Sequence, residues 1–143
     1  MIIDGKRAAD HATTTVLAYY HAFNRADWDT MCALCNEDVV HDVNQGPREI
    51  GRDKLRAFLA HMAQCYREEL RHIIVMATYD GSRVAAEFQV LGTYIATDEG
   101  LPPAHGQGYD LPGGAFFELS KGKISRITTY YNLTDWRRQV EAT

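Results

Sequence analysis

From Ala8 to Arg25, apolar residues fall at Ala12, Val16, Tyr19, Tyr20 and Phe23, and these three- and four-residue steps are the period of a helix with one buried face. Asp27 or Asp29 can cap a second, short helix carrying Trp28, Met31, Cys32 and Cys35, and the two helices should form a hairpin. A short apolar stretch from Val39 to Asn44 reads as a strand, closed by the turn signal Gly46-Pro47. Asp53 then stands as the cap of a third helix, whose stripe is Leu55, Phe58, Leu59, Met62, Cys65 and Tyr66. Beyond Glu69 the period changes. His72 to Thr78 is rich in β-branched residues, Asp80-Gly81 is a hairpin-type turn, and Arg83 to Ala96 alternates as a long strand. Thr97 to Gly108, with Pro102, Pro103 and three glycines, reads as a loop. Gly114 to Leu119 and Ile124 to Leu133 flank Ser120-Lys121-Gly122-Lys123 as a second hairpin, and Thr134 to Val140 forms an amphipathic tail around Trp136. The predicted order is α-α-β-α-β-β-β-β. That order predicts an α+β fold in which N-terminal helices cover one face of a curved antiparallel sheet, leaving a cone with an open mouth. Small ligands bind in concave, mostly apolar spaces of this kind.

Composition narrows the picture. At 143 residues the chain fits a single domain, residues 1–143, large enough to bury a core and a small pocket. Its formal charge of −4, from 15 Lys+Arg against 19 Asp+Glu, argues against nucleic acid as a partner. No run approaches the length of a membrane-spanning segment, and Met1 to Arg7 lacks the apolar core of a signal peptide, so a soluble, cytoplasmic protein is expected. Cys32, Cys35 and Cys65 are an odd number without export features, which argues against a disulfide framework. Cys32 and Cys35 have a C-x-x-C spacing, but no second pair completes a metal site, so core packing is expected of them. The spacings of His41, His61 and His72 match no metal motif either.

The element order, with Arg25-Ala26-Asp27-Trp28-Asp29 after the first helix and Gly122-Lys123-Ile124 before the last strand, resembles the nuclear transport factor 2-like superfamily. Within it the chain looks like the SnoaL-like polyketide cyclase and ketosteroid isomerase group, from about His11 to Trp136. The resemblance implies that Asp42 stands where ketosteroid isomerases carry their proton-shuttling carboxylate, and Tyr19 where they carry the oxyanion-hole tyrosine. Ala115 stands where their second acid would fall, and Tyr94 where SnoaL-type cyclases have a histidine. The group also implies back-to-back pairing of sheets, hence a homodimer.

Enolisation beside a carbonyl needs a base near the carbon proton and donors aimed at the developing oxyanion. A carboxylate in an apolar pocket suits the first role because desolvation raises its proton affinity, a pairing with a phenol that is borrowed from ketosteroid isomerase. Pleat alternation puts Val40, Asp42 and Asn44 on one face, and Val39, His41 and Val43 on the other. If Asp42 points inward, His41 points outward. Phe88, Val90, Gly92 and Tyr94 share a face of the long strand, as do Ile127, Thr129 and Tyr131 on the last. The expected site therefore has Asp42 as base and Tyr19 as oxyanion donor. Tyr94, Asn44, Tyr131, Phe88, Ala115, Phe117, Ile127 and Thr129 form the expected ligand-binding wall, without metal or organic cofactor. The alternative for Asp42 is an exposed carboxylate or an ion pair with Arg48 or Arg52. The function expected is proton transfer on a hydrophobic carbonyl compound, of isomerase, cyclase or lyase type. The alternative is a non-catalytic protein that holds a hydrophobic small molecule.

Overall fold

The computed structural model describes residues 5–142. Met1 to Asp4, part of the stretch read for export features, lie outside the described residues, as does Thr143. The two N-terminal helices form, but Cys35, expected on the second, begins the first strand instead. α1 (Gly5–Asn24) buries Ala12, Val16, Tyr19 and Tyr20. α2 (Trp28–Ala33) is capped by Asp27, whose Oδ1 accepts the Thr30 N–H at 3.1 Å. β1 (Cys35–Asp42) and a three-residue β2 (Arg48–Ile50) follow, then α3 (Arg52–Cys65) with Leu55, Leu59 and Cys65 buried. Asp53 is not the cap of α3. Gly51 holds that position at φ 104°, a conformation open mainly to glycine, and Asp53 sits in the first turn, where its charge suits the helix dipole.

β3 (Tyr66–Ala77) starts at the residue after α3, six residues before the predicted His72. A bulge between Arg71 and Ile74, with His72 at φ 53°, resets its pleat. β4 (Arg83–Tyr94), β5 (Gln107–Ser120) and β6 (Lys123–Tyr131) complete the sheet. α4 (Leu133–Glu141) is the amphipathic tail. Its Asn132 cap accepts the Asp135 N–H at 3.0 Å, and Trp136 and Val140 go into the core. The six strands run in the order β2-β1-β6-β5-β4-β3. All neighbours are antiparallel except β1 and β6, so the curved sheet is mixed rather than purely antiparallel. Asn24 fastens the end of α1 to β3, donating to the Leu70 carbonyl at 2.9 Å and accepting the Leu70 N–H at 2.8 Å. All three cysteines are free and buried. Among the described residues, no helix is long and apolar enough to cross a membrane.

Candidate functional site

A cavity of about 580 Å³ lies between the helices and the concave face of the sheet. α1 contributes Tyr19, Tyr20 and Phe23, α3 contributes Leu55, Phe58 and Leu59, and the sheet contributes Phe88, Val90, Leu111 and Ile127. Into this apolar wall are set His41, Asn44, Tyr66, Glu68, Thr129 and Tyr131, with His61 and Asp98 also among the lining residues.

Of the residues expected here, Tyr19, Asn44, Phe88, Ile127, Thr129 and Tyr131 do line the cavity. The Asn44 amide is nevertheless committed to the backbone: it donates to the Tyr131 carbonyl at 3.1 Å and accepts the Tyr131 N–H at 3.4 Å. It prolongs the β1–β6 pairing. Tyr94, Ala115 and Phe117 are corrections, because all three lie in the core and none lines the cavity. The Tyr94 ring stacks on Tyr66 at 5.4 Å, and its hydroxyl donates to the Pro102 carbonyl at 2.7 Å, so it anchors a loop. Phe117 packs edge-on against Tyr19 and Tyr20, and Ala115 fills the sheet interior.

Asp42 is the principal correction. The alternation along β1 is as predicted, but its phase is reversed: Val39 and His41 are buried, while Asp42 faces away from the cavity. β1 pairs with β6 so that His41 sits beside Ile127 and Asp42 beside Thr128, and Ile127 points inward. On the outer face Arg48, directly opposite on β2, donates from Nε to Asp42 Oδ1 at 2.6 Å and from Nη2 to Oδ2 at 3.1 Å. The Thr128 hydroxyl adds a bond of 2.5 Å. The hydrogen bonds from Arg48, reinforced by Thr128, hold the Asp42 carboxyl down at about 2, the reverse of what a base requires. A depressed carboxyl contributes stability above its ordinary value of 3.8, and that stability is lost as pH falls through the folded value. We therefore expect Asp42→Asn to leave any activity intact while lowering stability at neutral pH by about 1 kcal/mol, a modest figure because the group is partly solvated. Thermal melts from pH 7 down to pH 2 check this: the gap between variant and parent should close over the last two units.

Two carboxylates do enter the cavity wall: Asp98, tied to His61 and Tyr66, and Glu68. On β3, Tyr66, Glu68 and Leu70 alternate inward while Arg67, Glu69 and Arg71 are exposed. Glu68 is level with Gly92 on β4, and Gly92 with Tyr109 on β5. The absent side chain at Gly92 decides the geometry. A Cβ there would meet the Tyr109 ring at 2.1 Å, so only glycine lets the ring lie across β4 and bring its hydroxyl to Glu68 Oε2 at 2.5 Å. Burial pushes the Glu68 carboxyl above the ordinary carboxylate value, and the Tyr109 bond offsets part of the rise. The Tyr109 hydroxyl is itself pushed far up, by burial and then by the Glu68 charge, so it remains a donor.

His41, 5% exposed, packs its ring edge-on against Phe58 at 4.6 Å. Burial lowers its proton affinity, so the imidazole is neutral at pH 7, and its Nδ1 has no partner among the described residues.

Sequence reasoning missed Glu68, Tyr109 and His41 for identifiable reasons. Glu68 falls on a strand extension where the pattern reads as helix end, although the alternation from Tyr66 to Arg71 is a period-two signal, and Tyr109 falls between the loop ending at Gly108 and the strand predicted from Gly114. For His41 the signal was the company it keeps: Val39 and Val43 share its face, against Val40 alone on the face of Asp42.

The SnoaL-like domain family model matches residues 16–127. A solved structure of a proposed polyketide cyclase from Xanthomonas campestris is 57% identical, with 93% of this chain and 98% of that one covered and a TM-score of 0.91. A second, from Pseudomonas putida KT2440, is 56% identical over 90% of this chain and 97% of that one, with a TM-score of 0.89. An LEH-like epoxide hydrolase from M. tuberculosis, 19% identical over 94% and 92% of the two chains, has a TM-score of 0.74 and shares the fold. Comparison with curated proteins finds no significant match.

Proposed function

Because the chain belongs to the SnoaL-like domain family, within the nuclear transport factor 2-like superfamily, we propose that it moves a proton on a hydrophobic carbonyl compound, with Glu68 as the acid–base group. The observation that carries this reading is the Glu68 carboxyl, set in an apolar cavity wall with its proton affinity raised and one oxygen held by Tyr109. A carboxylate so placed is a stronger base than one in water, and its position is fixed before the ligand arrives.

Glu68 takes the proton from the carbon next to the carbonyl, and the C–H electron pair moves through the new C=C bond onto oxygen. The enolate oxygen is met by a donor from the wall, where Tyr19, Tyr20, His41, Thr129 and Tyr131 are among the lining residues. Return of the proton to another carbon completes an isomerisation. Attack of the enolate carbon on a second carbonyl of the same molecule forms the ring bond and moves that C=O pair onto oxygen, and return of the proton from Glu68 to this alkoxide completes a cyclisation. The relatives described as proposed polyketide cyclases favour the second outcome.

The test is deuterium uptake from D₂O at the α-carbon of hydrophobic ketones such as α-tetralone and benzoylacetone, read by mass spectrometry. Exchange faster than buffer is expected. Saturable binding without exchange would instead make this a ligand-binding protein of the same fold.

We also propose a homodimer formed through the outer face of the sheet. Ile74, Met76, Phe116 and Tyr130 are each at least half exposed there, an apolar stripe across β3, β5 and β6. Sedimentation should give twice the chain mass, and Phe116→Glu should give the monomer.

A further inference from the structure

The last turn of α3 presents His61 and Cys65 one helical step apart, on one face. Asp98, from the loop 95–106 between β4 and β5, comes over that face. The loop is fixed where it crosses. The Ile95 and Ala96 N–H groups donate to the Cys65 carbonyl at 2.8 and 3.3 Å, and the Asp98 N–H donates to the Tyr94 hydroxyl at 2.9 Å. The Tyr66 hydroxyl, from the first residue of β3, donates to Asp98 Oδ2 at 2.8 Å, while His61 Nε2 lies 2.7 Å from Oδ1. One nitrogen, one sulfur and one oxygen thus lie within 4.8 Å of one another, held by two segments, α3 and the loop 95–106.

We propose that His61, Cys65 and Asp98 bind a divalent transition-metal ion of borderline softness, zinc or cobalt(II), at the cavity wall. Three protein ligands of mixed N, S and O character leave one position open on a tetrahedral ion, the pattern of zinc sites that take a water or a substrate oxygen. Ligand bonds of about 2.0–2.3 Å require donors roughly 3.5 Å apart, so the cluster needs only a small rearrangement in which the His61–Asp98 pair, now at 2.7 Å, opens. His61 can supply it, since its side chain is half exposed and free to turn. The metal would replace the direct His61–Asp98 contact, and Tyr66 would remain on the second carboxylate oxygen as the outer partner that orients it. His61 and Asp98 both line the cavity, so an ion held by them lies beside the space a ligand would occupy.

Cobalt(II) titration of the untagged, reduced protein tests this through the near-ultraviolet thiolate-to-cobalt band. One equivalent per chain is expected, with the band abolished in Cys65→Ala and affinity weakened about 10–100-fold in Tyr66→Phe. The exposed variant His61→Ala should weaken binding as well, and it serves if Cys65→Ala fails to fold. Absence of a thiolate band overturns the proposal. So does a band that survives Cys65→Ala but is lost in Cys32→Ala or Cys35→Ala. Glu68→Gln should leave the titration unchanged, which separates this site from the acid–base reading.

Discussion

Glu68→Gln is expected to slow α-proton exchange roughly 10²–10⁴-fold, the usual share of a positioned acid–base group, while the thermal midpoint at neutral pH rises. The two effects have one cause. Burial in the cavity wall raises the folded-state pKa of Glu68 above its ordinary 4.5, so the folded protein holds that proton more tightly than the unfolded chain does. The stabilising contribution of the neutral acid is fully present below the unfolded value, and it is lost as pH rises through the folded one. Above that point the parent protein carries a poorly solvated charge, and glutamine removes the charge while keeping an acceptor for the Tyr109 hydroxyl. Melts of parent and variant should therefore coincide at low pH and separate above it, with the variant the more stable. A variant that exchanges protons at the parental rate would remove Glu68 from the mechanism.

The largest structural effect is expected from Gly92→Ala. The added methyl would lie 2.1 Å from Cζ and 2.4 Å from the hydroxyl oxygen of Tyr109, a residue only 5% exposed, so the ring must swing or the strands must part. Overpacking of this kind costs about 1–3 kcal/mol, which for a domain of this size lowers the melting midpoint by several degrees. Displacing Tyr109 also removes the hydrogen bond that favours the Glu68 carboxylate. The acid limb of the pH–rate profile should then move to higher pH. Tyr109→Phe separates the two consequences, because it removes the bond without the clash: the same pH shift is expected with a smaller loss of stability. Unchanged melting and pH profile in Gly92→Ala would mean that Tyr109 is not held across β4 as described.

The corrections cluster where local pattern runs out. Asp42 and His41 stand on opposite faces of any β-strand, so their opposition was legible in the chain, but not which of them faces inward. That phase is set by β6, far along the sequence, whose parallel pairing ties His41 to inward-facing Ile127 and Asp42 to Thr128 on the outside. Likewise the period-two alternation around Glu68 was written in the residues. Only its packing against Gly92 and Tyr109 on the next two strands gives the carboxyl a buried environment.

The amino-acid order by itself determined what depends on neighbours a few positions away. The three- and four-residue stripes of α1 and α3, an aspartate cap for α2, the Asp80-Gly81 and Lys121-Gly122 turns, and the inward set Phe88, Val90 and Tyr94 all follow from local periodicity and backbone preference. Tertiary structure alone decided which acid is buried and which is paired. A carboxyl's proton affinity depends on solvent and charge brought to it by other strands: Arg48 and Thr128 keep Asp42 ionised on the outside, while an apolar wall and one phenol surround Glu68.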